Sequence, residues 1–186
     1  MKAIKVLTIS GSLRKASFNS MALRTAEALA PEGMSFTHAD LHGLPHYDQD
    51  LRDTEIPAAV QTLDAQVRAA DAVLIATPEY NYSIPGVLKD AIDWLSRMPD
   101  QPLNGKPVAI MSASMGVMGG VRAQYHLRQS LIFINAHVLN RPEIMIGSAH
   151  ERFDADGKLT DAMTEKLIRE QLVALAEWTN RLRADR

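Results

Sequence analysis

Three short, almost unbroken apolar runs constrain this chain more than any other feature: AIKVLTIS (3–10), DAVLIATP (71–78) and PVAIMSAS (107–114). Each stops at a turn signal: a Gly-Ser pair, a proline or a glycine-rich stretch. A strand with one wet face alternates apolar and polar residues. A strand without that alternation must be covered on both faces, as the inner strands of a parallel sheet are.

Amphipathic segments stand between the runs. Residues 19–30 place Met21, Ala22, Leu23, Ala26 and Leu29 on one side, with Asn19 or Ser20 as the expected cap and Pro31 and Gly33 beyond the end. Met34 to Asp40 reads as a second strand, followed by a long polar connection containing His42, Gly43, Pro45, His46 and Tyr47. Pro57 opens a helix carrying Ala59, Val60, Leu63, Val67 and Ala70. Pro85 opens another, with Val87, Leu88, Ala91, Ile92 and Leu95 facing inward and Lys89, Asp93 and Arg97 outward. Residues 121–134 and 160–183 are helical by the same spacing, and a fifth strand is expected within 136–146. The expected fold is α/β: a doubly wound, five-stranded parallel sheet with helices on both faces, formed by residues 1–186 as one domain. Ligands should then meet the loops at the carboxyl ends of strands one, three and four.

Charge and cysteine count remove several function classes. With 20 Lys+Arg against 22 Asp+Glu the formal charge is −2, so nothing electrostatic favours nucleic acid or an anionic membrane surface as partner. The chain has no cysteine, which excludes disulfides, thiolate metal sites and a cysteine nucleophile. No apolar stretch reaches membrane-spanning length, and the run after Met1 and Lys2 is broken by Lys5, unlike a signal segment. The cytoplasm is the expected location.

Ser10 to Ser20, SGSLRKASFNS, concentrates hydroxyls, a carboxamide and a guanidinium ahead of a helix, the donor set a phosphate dianion requires. Neither GxGxxG nor GxxxxGK[ST] occurs in the chain, which points to a mononucleotide phosphate rather than a tightly held dinucleotide or a P-loop nucleotide. Thr77 to Gly86, TPEYNYSIPG, has two prolines for stiffness and Tyr80 and Tyr82 as ring faces. Ser112 to Gly120, SASMGVMGG, lets the backbone come close to a ligand. The other polar residues read as ordinary structure. Gly43 and Pro45 break up His42 and His46 as a metal pair, Asp154-Ala155-Asp156-Gly157 is a turn, Trp94 and Trp178 are packing or interface residues, and Ser12 lacks a GxSxG elbow.

The stretches GSLRKASFNS (11–20), PEYNYSIPGVLKDAIDWLSR (78–97) and GKPVAIMSASMGVMGGVRAQYHLRQ (105–129) resemble the NADPH-dependent FMN reductase family, the flavodoxin-like group that includes chromate and quinone reductases. By that resemblance Ser12, Arg14, Ser17, Asn19 and Ser20 would hold the FMN phosphate, with Phe18 beside them. Pro78, Glu79, Tyr80, Asn81 and Tyr82 would line the ring and ribityl chain, and Ser114, Met115, Gly116 and the rest of the segment to Gly119 and Gly120 would close the other side. It implies FMN as cofactor, NADPH or NADH as reductant, and a ping-pong transfer to a small-molecule electron acceptor such as a quinone, chromate, an azo compound or free flavin. A flavodoxin-type carrier is the alternative, although such carriers are usually strongly acidic and use a Thr-rich phosphate loop. The family is typically dimeric or tetrameric, so a homodimer or homotetramer is expected, with Tyr82, Arg122, Tyr125 and Glu143 as candidates to pair across the interface. Asp90 stands where the family more often has asparagine, and its helical position suggests an exposed side chain.

Overall fold

The computed structural model describes residues 3–184; Met1 and Lys2, on which the reading of the N-terminus partly rests, lie outside the described residues, as do Asp185 and Arg186. The three apolar runs form β1 (Ile4–Ser10), β3 (Ala72–Thr77) and β4 (Pro107–Ala113), and β2 is Met34–Ala39. The strands are parallel in the order β2-β1-β3-β4, the flavodoxin-like arrangement. Every residue of β3 and β4 is buried, which is why neither strand alternates.

Two apolar layers cover the sheet, and the pleat decides which residue enters which. Leu7, Ile9, Val73, Ile75, Val108 and Ile110 face one layer, built on α3 (Ala58–Ala69), α4 (Gly86–Ser96) and α5 (Val121–Phe133). Their neighbours Val6, Leu74, Ala76, Ala109 and Met111 face the other, built on α1 (Phe18–Ala28) and α7 (Ala162–Ala184). Removing a large aliphatic side chain from either layer costs about 2–5 kcal/mol.

The fifth strand departs from the expectation. It is two pieces, β5 (His137–Val138) and β6 (Ile144–Ile146), both parallel to β4 and paired with its beginning and its end. Pro142 stands in the gap, where it has no N–H to give the ladder. The carbonyl of Ile110, left facing that gap, accepts instead from Gln171 Nε2 of α7 at 2.9 Å, and the same nitrogen donates to the Pro142 carbonyl at 3.0 Å. The backbone requirement is met by a side chain from a distant helix.

Other elements also differ. α1 begins one residue earlier than expected and is capped by Ser17, whose Oγ accepts from the Ser20 N–H at 3.4 Å, not by Asn19 or Ser20. Two short helices, α2 (Gln49–Thr54) and α6 (Ala149–Arg152), stand where no helix is expected. Asp90 is not on an exposed side: its carboxylate is only 16% accessible and accepts from the Tyr47 N–H at 3.1 Å and from His46 Nδ1 at 2.8 Å. The turn at Asp154 to Gly157 is as expected, with Asp154 accepting from the N–H groups of Asp156 and Lys158. Among the described residues no helix is long and apolar enough to cross a membrane.

Candidate active site

The carboxyl ends of β1, β3 and β4 lie side by side, since Ser10 pairs with Ala76 and Thr77 with Ser112. The loops that leave them are thereby brought together around a cleft of about 550 Å³. Loop 1 (11–17) and the start of α1 contribute Ser12, Arg14, Ser17, Phe18 and Asn19; loop 2 (78–85) contributes Pro78, Glu79 and Tyr80. Loop 3 (114–120) contributes Ser114, Met115, Gly116, Val117, Met118 and Gly120, and Ala113 and Arg122 complete the wall.

Loop 1 is ordered by its own hydroxyls. Ser10 Oγ donates to the Ser12 carbonyl and lies 3.0 Å from Ser20 Oγ, while Ser12 Oγ accepts from the Arg14 N–H at 3.4 Å. Ser20 is therefore turned away from the cleft toward Ser10 and lines a separate hollow with Thr8 and His38. Asn19 lines the cleft, but its buried carboxamide is committed to β4: Nδ2 donates to the Ala113 carbonyl at 3.0 Å and Oδ1 accepts from the Ala113 N–H at 2.9 Å. The first backbone N–H groups of α1 have no carbonyl partner within the helix and lie at this wall. Arg14 makes no ion pair among the described residues.

Loop 2 turns back at Asn81 and Tyr82, whose φ values of 50° and 68° mark a type I′ turn closed by hydrogen bonds between Tyr80 and Ser83 in both directions. That turn carries Asn81 and Tyr82 out of the cleft wall, and Tyr82 lies instead over the Arg122 guanidinium at 4.0 Å. Glu79 accepts from the N–H groups of Arg122 and Ala123 at 3.1 and 3.4 Å and pairs with the Arg122 guanidinium. It thereby caps α5, whose own N-cap, Gly120, has no side chain to do so. Arg122, a candidate to pair across a subunit interface, makes this pair inside its own chain.

Loop 3 is held from behind by the segment after β6. The Ser148 and Ala149 N–H groups donate to the carbonyls of Gly116 and Ser114, and Ser114 N–H donates to Ile146. Gly119 is not in the cleft wall but pressed on this segment, where a Cβ would stand 2.7 Å from the Met145 carbonyl carbon. Gly147 is as tightly placed, its Cβ position lying 2.9 Å from the Val117 carbonyl carbon. Beneath the loop, buried Gln124 donates to Ser112 Oγ at 2.8 Å, and Ser112 Oγ donates to the Gly119 carbonyl.

Twelve of the sixteen residues named for the FMN site in the sequence therefore stand in one wall, and Ser20, Asn81, Tyr82 and Gly119 lie outside it. Arg122 and Ala113 were not expected there; position 122, in the first turn after loop 3, is the signal that points to it. Of the charged residues in the wall, Glu79 and Arg122 satisfy each other and Arg14 is left over. The cleft is cationic at the loop 1 end and apolar at the loop 3 end.

Residues 4–151 match the family model described as NADPH-dependent FMN reductase. The chain belongs to that family. Within the FMN reductase family, it is 57% identical over 180 residues to an NAD(P)H-dependent FMN reductase of Pseudomonas aeruginosa, covering 97% of each chain. A quinone reductase of Escherichia coli is 49% identical over 183 residues, again covering 97% of each. Among solved structures, the NAD(P)H:(acceptor) oxidoreductase FerB of Paracoccus denitrificans superposes with a TM-score of 0.88 at 36% identity, covering 96% of this chain and 98% of that one.

Proposed function

We propose that this chain is an FMN-dependent NAD(P)H oxidoreductase that reduces quinones or other small electron acceptors. The observation that carries the reading is the polarity of the cleft: one unneutralised cation beside helix N–H groups at one end, and Tyr80, Met115, Val117 and Met118 at the other. A ligand with an anionic head and a flat apolar body matches both ends, and a volume near 550 Å³ falls within the usual range for such sites, about 300–1,000 Å³.

The residues present fit FMN. Arg14, the hydroxyls of Ser12 and Ser17 and the first N–H groups of α1 would hold the phosphate. Pro78, Glu79 and Tyr80 would line the ring system on one side, and Ser114 to Met118, with backbone amides and soft thioethers, on the other. When bound, FMN supplies the hydride and electron chemistry that no side chain of this protein can. Asn19 and Glu79 act on geometry, one fastening loop 1 to β4 and the other fastening loop 2 to α5.

We read NAD(P)H and the acceptor as using the same mouth in turn, a ping-pong order, because the chain carries no dinucleotide fingerprint. A second copy of the chain is the expected neighbour: Tyr125 and, two turns on, Ile132 and Phe133 lie exposed on α5, too apolar to face water alone. The whole chain then acts as one flavin domain, in the cytoplasm, as a homodimer or homotetramer, with mass in solution as the check. Steady-state NAD(P)H oxidation by the FMN-loaded protein, with and without a quinone, tests the activity; oxidation that no acceptor accelerates rejects it in favour of an electron carrier.

A further inference from the structure

Residues 42–47 read as a solvated connection in the sequence, yet the structure pins them at both ends. At one end His42 reaches loop 1: its Nε2 lies 3.2 Å from the Leu13 carbonyl and its Nδ1 2.7 Å from Asp40 Oδ1, which also accepts the His42 backbone N–H at 2.9 Å. Both ring contacts are to acceptors, so the ring serves them together when both nitrogens carry hydrogen. Asp40 is set for this role: the His42 backbone N–H, and then its ring, hold the carboxyl below the usual carboxylate range.

At the other end the segment is fixed to α4. Trp94, fully buried, donates through Nε1 to the Pro45 carbonyl at 2.9 Å, and the Tyr47 ring meets the Trp94 ring edge-on at 5.1 Å. Asp90, on the same face of the helix, takes the Tyr47 N–H and the His46 ring. The only bonds that loop 1 makes among its own residues between Ser10 and Arg14 are the short-range hydroxyl contacts of Ser10 and Ser12, at 3.2–3.4 Å.

We propose that residues 42–47 form a strap from α4 to loop 1, with His42 as the residue that positions the phosphate-binding loop through the Leu13 carbonyl. The peptide held by His42 is the one that leads into Arg14, so the strap sets the direction in which Arg14 leaves the loop. Among the described residues, none of the strap's hydrogen bonds goes to Pro78, Glu79, Tyr80 or Ser114 to Met118. Its effect is therefore confined to the anionic head of the ligand, a specificity that general stabilisation lacks. This rests on the reading of loop 1 as the FMN phosphate site.

The test is a comparison of FMN with riboflavin, which lacks the phosphate, by fluorescence titration of the apoprotein. His42→Ala should weaken FMN about three- to tenfold, the effect of one hydrogen bond, and leave riboflavin unchanged, with a melting temperature close to that of the parent. Asp90→Ala, which removes the two bonds to His46 and Tyr47 at the far end of the strap without touching loop 1, should lower the FMN-to-riboflavin affinity ratio, by less than His42→Ala does. An unchanged ratio in His42→Ala, or equal weakening of both flavins, overturns the strap. If the parent protein itself binds riboflavin as tightly as FMN, the phosphate-site reading fails first and the strap falls with it.

Discussion

Glu79 and Arg122, 43 positions apart in the chain, form a helix cap and an ion pair at once: the carboxylate takes the Arg122 backbone N–H at 3.1 Å and the guanidinium of the same residue. The pair joins loop 2 to the first turn of α5 at the edge of the cleft, where Tyr82 covers the guanidinium. Glu79→Ala leaves both sets of donors without an acceptor. It should cost about 1.5–3 kcal/mol, as losing a charge-assisted bond does. Urea unfolding of the two proteins measures this, and Glu79→Gln, which keeps one acceptor oxygen, should lose less.

Arg14 is the one cation of the cleft wall without a carboxylate partner among the described residues. Arg14→Ala should weaken FMN about ten- to hundredfold, with little change in stability because the side chain contacts solvent. Flavin fluorescence titration reads this directly. Retention of the parent affinity would remove loop 1 from the site.

Gly147 never touches the cleft, yet its backbone lies so close to Val117 that any Cβ meets the Val117 carbonyl. Both sides of the contact are backbone, so Gly147→Ala must move loop 3 or the strand behind it. The cost should be about 1–3 kcal/mol, a fall of several degrees in melting temperature for a chain of this size. FMN affinity should fall with it, since Met115 and Met118 ride on the displaced loop.

Asp71 lies at the opposite end of the sheet from the cleft. Burial pushes its carboxyl upward, but the Arg183 guanidinium, the Lys5 N–H and Lys106 outweigh this and hold it below the usual range. A carboxylate with a lowered folded value stabilises the protein above the unfolded value, near pH 4, and that contribution fades as pH falls through the folded one. Asp71→Asn should therefore be less stable than the parent by about 0.5–1 kcal/mol at pH 7, the side chain being partly solvated, and the gap should narrow at an acidic pH below the usual carboxylate range. Urea midpoints at the two pH values give the comparison; a gap that widens in acid contradicts the assignment.

Some of this architecture can be read along the chain and some cannot, for physical reasons. β1, β3 and β4 are legible because burial on both faces leaves a local mark, the continuous apolar run. The split between β5 and β6 leaves only Pro142 as a local mark, and the carbonyl it exposes on Ile110 is satisfied by Gln171, 61 residues away. α2 has no buried face and so no periodicity to find. Asp90 falls on the outer side of α4 by spacing alone, and what buries it is a segment whose composition reads as solvated. The location of the site is legible because it follows the ends of the apolar runs. Which hydroxyls and rings enter it depends on turns and close packing: Ser20 turns to Ser10, Tyr82 follows a type I′ turn to Arg122, and Gly119 is taken up by contact with Met145.

The most direct test of the account is the visible spectrum of the protein after FMN loading and desalting, followed by anaerobic NADPH and then a quinone. The structure predicts a retained yellow colour that NADPH bleaches and the quinone restores. Protein that leaves the column colourless at micromolar concentration, or whose colour neither NADPH nor NADH bleaches, contradicts it.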